Sequence, residues 1–180
     1  MLVAKFAGSV CFKMSIKKIL IKEIKLTVKD WVFGGEDGLM VTFGALFGMS
    51  IATNENNLII LAGLLANLSN AVSMAAGDYL STKSQAEVHK HEGFENPILS
   101  AIVMFVVCLL GALIILPFLF LNIPMARILT IIITVLALFG IGVFKSKFAK
   151  RNWIRSGLEM VVIAMIAGLL AYYVGKRFAM

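Results

Sequence analysis

The sequence lacks what a soluble surface needs. Only 15% of its 180 residues are charged, and 60% are hydrophobic. A water-soluble domain of this size cannot clothe itself with so few polar side chains, which excludes a soluble enzyme or a secreted domain. Cysteine is almost absent. Cys11 and Cys108 lie far apart, no CxxC or Cys/His zinc spacing exists, and nothing implies an oxidising compartment. Cys108, alone in an apolar stretch, reads as packing. Acidic residues are few (10 against 17 basic), so the formal net charge is +7. The lysines flank hydrophobic blocks, which suits topology signals and anionic lipid head groups and argues against a nucleic-acid partner.

What is present is long apolar blocks joined by short linkers. A bilayer core of about 30 Å takes roughly 20 apolar residues per helix, and several blocks reach that length. The expected fold is an all-α integral membrane protein. It has five transmembrane helices in residues 31–180, preceded by a basic amphipathic segment in residues 1–30. In that segment Lys18, Lys22, Lys25 and Lys29 share one helical face, and Ile16, Leu20, Ile24 and Val28 take another. Such a helix lies on the membrane surface or docks on the protein's own loops.

The first span is apolar from Gly38 to Ala52, short for a full crossing; extended back to Trp31, it takes in Glu36 and Asp37. Either the helix is short or carboxylates enter the membrane boundary. Gly44 and Gly48 form a GxxxG pair on the face that carries Asp37, which marks them for helix packing. The second span, about Leu58 to Leu80, aligns Asn67, Asn70, Met74 and Asp78 at spacings of three, four and four. The third span opens at Pro97 and ends near Leu121. The fourth runs from about Ile128 to Phe144 and the fifth from about Gly157 to Val174. Spans three and four have almost no side-chain polarity and read as lipid-facing scaffold.

Basic residues set the orientation. Seven Lys or Arg lie in residues 1–31, two in the loop after span two and five between Lys145 and Arg155; the opposite side holds Arg127, Lys176 and Arg177. The N-terminus is expected in the cytoplasm and the C-terminus outside or in a lumen.

An ionisable residue inside a span costs several kcal/mol unless paired or hydrated, so Asp37 and Asp78 are the leading functional candidates. They approach the cytoplasmic ends of antiparallel neighbours, at similar expected depths. Asn67 and Asn70 add amide oxygens and Met74 a thioether. Oxygen ligands with one thioether suit a borderline divalent cation such as Fe²⁺ or Mn²⁺. A carboxylate sensitive to burial can exchange a proton for the metal, which is the minimal chemistry of a metal–proton antiporter. The plainer readings are a helix-start position for Asp37 and helix–helix glue for the asparagines. In the loop after span two, Glu87, His89, His91, Glu92 and Glu95 are candidates for cytoplasmic metal capture, against the plainer reading of a solvated loop.

Asp37-Gly38-Leu39 and the stretch LAGLLANLSNAVSMAAGDYLSTKSQAE, residues 61–87, resemble the signatures of the vacuolar iron transporter family, which includes plant nodulin-like relatives. The resemblance implies a homodimer that moves cytosolic Fe²⁺ or Mn²⁺ out in exchange for protons, with the pathway between protomers. It implies pore-ligand roles for Asp37 and Met74, and a retained carboxylate at Asp78. Two departures stand out. Ala66 occupies a position where relatives often carry a further carboxylate, and the short loop from Ser81 to Asn96 replaces a cytoplasmic metal-binding domain.

The expected function is therefore a dimeric divalent-metal transporter, not an enzyme, with metal as substrate and no permanently bound cofactor. Its partners are a second copy, protons and anionic lipid. Its location is a prokaryotic cytoplasmic membrane or, alternatively, a vacuole-like one. A non-transporting membrane scaffold or accessory subunit is the rival reading. An intramembrane aspartyl protease is a third, weakened because Ala76-Gly77-Asp78 lacks the first glycine of a GxGD motif.

Overall fold

The computed structural model describes residues 28–89, 96–149 and 151–179. The described residues are helical, with short connections. Helix α1 runs through residues 28–52. It is followed by α2 (Asn56–His89), α3 (Pro97–Leu110), a 3₁₀ turn (Gly111–Ile115), α4 (Leu116–Phe120), α5 (Ile123–Ala149) and α6 (Trp153–Arg177). The basic segment before residue 28 and the loop residues His91, Glu92 and Glu95 lie outside the described residues, as does the side chain of His89.

Among the described residues four helical stretches are long and apolar enough to cross a membrane: Asn56–Val88, Pro97–Phe120, Ile123–Phe148 and Trp153–Arg177. The five-span expectation is thus met in four. Helix α1 would extend roughly 37 Å at about 1.5 Å per residue, enough to cross, but it carries Lys29, Asp30, Glu36 and Asp37. It does not stop at the carboxylates: Glu36 and Asp37 sit within a continuous helix.

The helix boundaries have local causes. Asn96 caps α3, its side-chain oxygen accepting from the backbone N–H groups of Ile98 and Leu99, with Pro97 in the first turn, where its missing N–H costs nothing. Asn152 caps α6 in the same way through Ile154. Helix α2 continues beyond its apolar block to His89, so Ser81, Gln85 and Glu87 are helical and not in a loop. The stretch from Ser81 to Val88 contains neither Gly nor Pro to stop it. The third span is interrupted at Gly111, and α4 has Pro117 in its first turn. That proline withholds an N–H and crowds the preceding turn, which tightens to 3₁₀.

Helix α2 packs along α3, and α5 along α6. Helix α1 threads between them. Its Leu39, Phe43 and Leu46 join Ile59, Ile114, Phe118, Leu138, Met160 and Ala164 in one buried core. Close approach explains several glycines. A Cβ at Gly38 would strike the Cys108 backbone, and one at Gly111 would strike Gly38 in return, so α1 and the third span cross there at near-backbone contact. Gly48 lies against Ala171, and a Cβ at Gly175 would meet the Gly48 carbonyl, so this half of the GxxxG pair packs on α6. A Cβ at Gly44 would meet nothing within 4 Å among the described residues. The periphery is apolar and exposed, with Leu61, Leu65, Ile102, Val106, Leu136, Ile166 and Leu169 among many facing outward, as a lipid-contacting surface requires.

Candidate functional site

Two polar layers sit along α1, seven residues and so two helical turns apart. The deeper one is built on Asp37. Its Oδ2 accepts a hydrogen bond from Asn70 Nδ2 at 2.5 Å, and the same amide lies 3.4 Å from Cys108 Sγ on α3. Asn67, one turn along α2, sits within the helix crossing. Its amide nitrogen reaches the Gly38 carbonyl (3.3 Å), Thr42 Oγ1 (2.7 Å) and the Cys108 carbonyl (3.1 Å), tying α1, α2 and α3 together. Thr42 in turn donates to the Gly38 carbonyl at 2.7 Å. Asn67 is buried, and its Oδ1 has no hydrogen-bond partner among the described residues, leaving one amide oxygen for a ligand.

The second layer is built on Asp78. It lies level with Asp30, not with Asp37. The Ser100 hydroxyl is within hydrogen-bond reach of Asp78 Oδ2 and, at 2.8 Å, of Asp30 Oδ2. Lys29 Nζ lies 3.7 Å from Asp30 Oδ1 and 3.6 Å from Asp78 Oδ1. A hydroxyl has one hydrogen, so Ser100 serves one carboxylate at a time, and the ammonium provides the compensating charge. A cavity of about 410 Å³ opens here, lined by Met74, Asp78, Lys29, Asp30 and Met104 among others. Met74 therefore belongs to the Asp78 layer. The antiparallel run of α1 and α2 accounts for the pairing: moving from Asp37 back to Asp30 corresponds to moving from Asn70 forward to Asp78.

Three contributors were not read as site residues from sequence. Asp30 falls at the end of the basic segment, residues 1–30. Ser100 and Cys108 belong to a span assigned to the lipid-facing scaffold. Both are buried, eight residues apart, on the face of α3 that meets α1 and α2. The signal available was that spacing: two polar-capable residues two turns apart in an otherwise apolar helix. Among the described residues no three His, Cys, Asp or Glu side chains converge on one metal position. Glu87 is exposed near the end of α2.

At the other end of α1, Arg127 of α5 donates to Ser50 Oγ (3.1 Å) and to the Ser50 carbonyl. A cation on the last carbonyls of a helix is favourably placed against its dipole.

Comparison with known proteins gives this arrangement a context. A vacuolar iron transporter of Centaurea cyanus is 38% identical over 66 residues, covering 37% of this chain and 27% of the relative. Vacuolar iron transporter 1 of Eucalyptus grandis is 24% identical over 214 residues, covering 83% of this chain and 85% of the relative. An uncharacterised protein of Methanocaldococcus jannaschii is 28% identical over 163 residues, covering 79% and 85%. The Centaurea cyanus match, like one to vacuolar iron transporter 1 of Oryza sativa, spans only about a quarter of the relative's length. The model of the VIT family matches residues 28–94 and 89–176, which include both polar layers. With its apolar helices and this match, the chain is a multi-pass membrane protein that belongs to the VIT family.

Proposed function

We propose that this protein carries a divalent transition metal, Fe²⁺ or Mn²⁺, out of the cytosol in exchange for protons. The observation that carries the reading is the Asp37–Asn70 pair, a half-buried carboxylate held in an apolar bundle where an ionisable group is costly without a task. Vacuolar iron transporters among the relatives point the same way. Helix α1 would be the first of five spans, with the N-terminus in the cytoplasm.

The metal would meet Asp78 and Met74 in the cavity first. It would then pass to Asp37 and Asn70, with Asn67 Oδ1 alongside. Carboxylate, amide and thioether ligands are individually weak for a dehydrating ion, which lets it leave as well as enter. One chain supplies few charged ligands at either layer. A second copy against the exposed small-residue face of α2 (Ser69, Ser73, Ala76 and Gly77) would double each set about an axis.

The test is metal flux into sealed proteoliposomes under a pH gradient, with Fe²⁺, Mn²⁺ and Ca²⁺ offered separately. Fe²⁺ or Mn²⁺ flux that collapses with the gradient is expected. A well-folded, correctly inserted protein that moves none of them would make a membrane scaffold the better reading.

A further inference from the structure

The joint between α5 and α6 holds a polar cavity that the transport reading leaves unused. It measures about 240 Å³ and is lined by Arg151, Asn152, Arg155, Ser156 and Glu159. Its floor is firmly packed. A Cβ at Gly142 of α5 would strike the backbone of Ser156 and Gly157, and one at Gly157 would strike the Phe139 ring, so the two helices meet there at near-backbone contact. Ser156 is only 6% exposed, yet its hydroxyl makes no hydrogen bond among the described residues. The helix end itself is already capped. The Asn152 side-chain oxygen accepts from the Ile154 N–H, which leaves the Asn152 amide nitrogen as an unused donor. The Arg151 and Arg155 guanidiniums form no ion pair or hydrogen bond among the described residues, with Glu159 or any other. Two guanidiniums, an amide and a buried hydroxyl thus line one cavity with their hydrogens uncommitted.

We infer that this cavity binds a phosphate group, and that the phosphate is the head of an anionic phospholipid. A guanidinium pairs with phosphate oxygens through parallel N–H···O bonds, and the hydroxyl and amide donate to the oxygens left over. Position argues for a lipid. Helix α6 is one of the apolar spans, and the cavity sits at its first turn, where the span meets water. Trp153, exposed and edge-on to Phe139, is a side chain that settles at head-group level. Beyond the cavity Leu158, Val162 and Ile166 are exposed along α6 and supply the apolar track that an acyl chain needs. None of the five lining residues belongs to the polar layers along α1, so the inference stands apart from the transport reading. Glu159 opposes a phosphate, and this gives the site a test of sign.

The experiment measures binding of short-chain phosphatidylglycerol to the detergent-purified full chain by native mass spectrometry. Arg155→Gln weakens binding about tenfold, the scale of one charge-assisted contact. Glu159→Gln removes a like charge and tightens binding about threefold. Arg151→Gln repeats the loss should Arg155→Gln not fold. Arg177→Gln removes the same charge at the opposite end of α6 and leaves binding unchanged. Inorganic phosphate in excess separates the two sources of the chemistry. Phosphatidylglycerol that stays bound supports the lipid; its displacement, with the variant pattern intact, would uphold the phosphate site and overturn the lipid assignment. Equal losses in Arg155→Gln and Arg177→Gln would reduce the binding to general charge attraction and overturn the site. Equal binding by wild type, Arg155→Gln and Glu159→Gln would overturn it as well.

Discussion

Replacing Gly38 with alanine tests whether the α1–α3 crossing holds the site together. The added Cβ would lie 2.9 Å from both the Cα and the carbonyl carbon of Cys108, where ordinary contact begins at 3.4 Å. These are backbone atoms and no side-chain rotation relieves them, so the helices must part by about 0.5 Å or more. Overpacking of this kind costs about 1–3 kcal/mol. Asn67 loses as well, because its contacts to the Gly38 and Cys108 carbonyls, at 3.3 and 3.1 Å, span the gap that opens. Those add about 1 kcal/mol. The sum, about 2–4 kcal/mol, should lower the thermal unfolding midpoint of the detergent-purified protein by roughly 5–15 °C. Gly140→Ala is the internal control. Its Cβ meets nothing within 4 Å, and alanine in a helix interior gains about 0.5–1 kcal/mol over glycine. Equal midpoints for the two variants would refute the close-crossing argument.

Two further perturbations follow from the polar layers and the clasp. Ser100→Ala strips the hydroxyl from two buried carboxylates and should cost about 1–3 kcal/mol in thermal unfolding; an unchanged midpoint would mean that the hydroxyl satisfies neither. Arg127→Gln removes the charged clasp on the Ser50 carbonyl, worth about 0.5–2 kcal/mol locally, and should speed hydrogen exchange in residues 50–55; unaltered exchange would show that the helix end is held by packing alone.

The sequence made the helices legible because a membrane imposes length and apolarity on each span, and it exposed the α2 stripe because three polar residues and Met74 recur at helical spacing. It hid what depends on crossings. Asp30 lies two turns before Asp37 but next to a run of lysines, so composition assigned it to the surface. Ser100 and Cys108 gain meaning only when α3 passes within backbone contact of α1 at Gly38 and Gly111. The role of Gly38 itself was invisible as chemistry: it admits the Cys108 backbone and so seats Asn67 and Asn70 beside Asp37. The expectation that Asp37 and Asp78 share a depth failed for a geometric reason. Helix α1 carries a second carboxylate, and that one faces Asp78 across Ser100.

The central claim is that Asp37 carries the transported ion, and the most direct measurement is Mn²⁺ or Fe²⁺ flux through Asp37→Asn in sealed proteoliposomes beside wild type. Asparagine preserves size and can still hydrogen-bond Asn70, so folding and insertion should survive while the charge is lost. Wild-type flux that falls at least tenfold in the variant, with the protein still folded and inserted, is the predicted result. Flux retained at the wild-type rate would contradict the account and return Asp37 to a structural role.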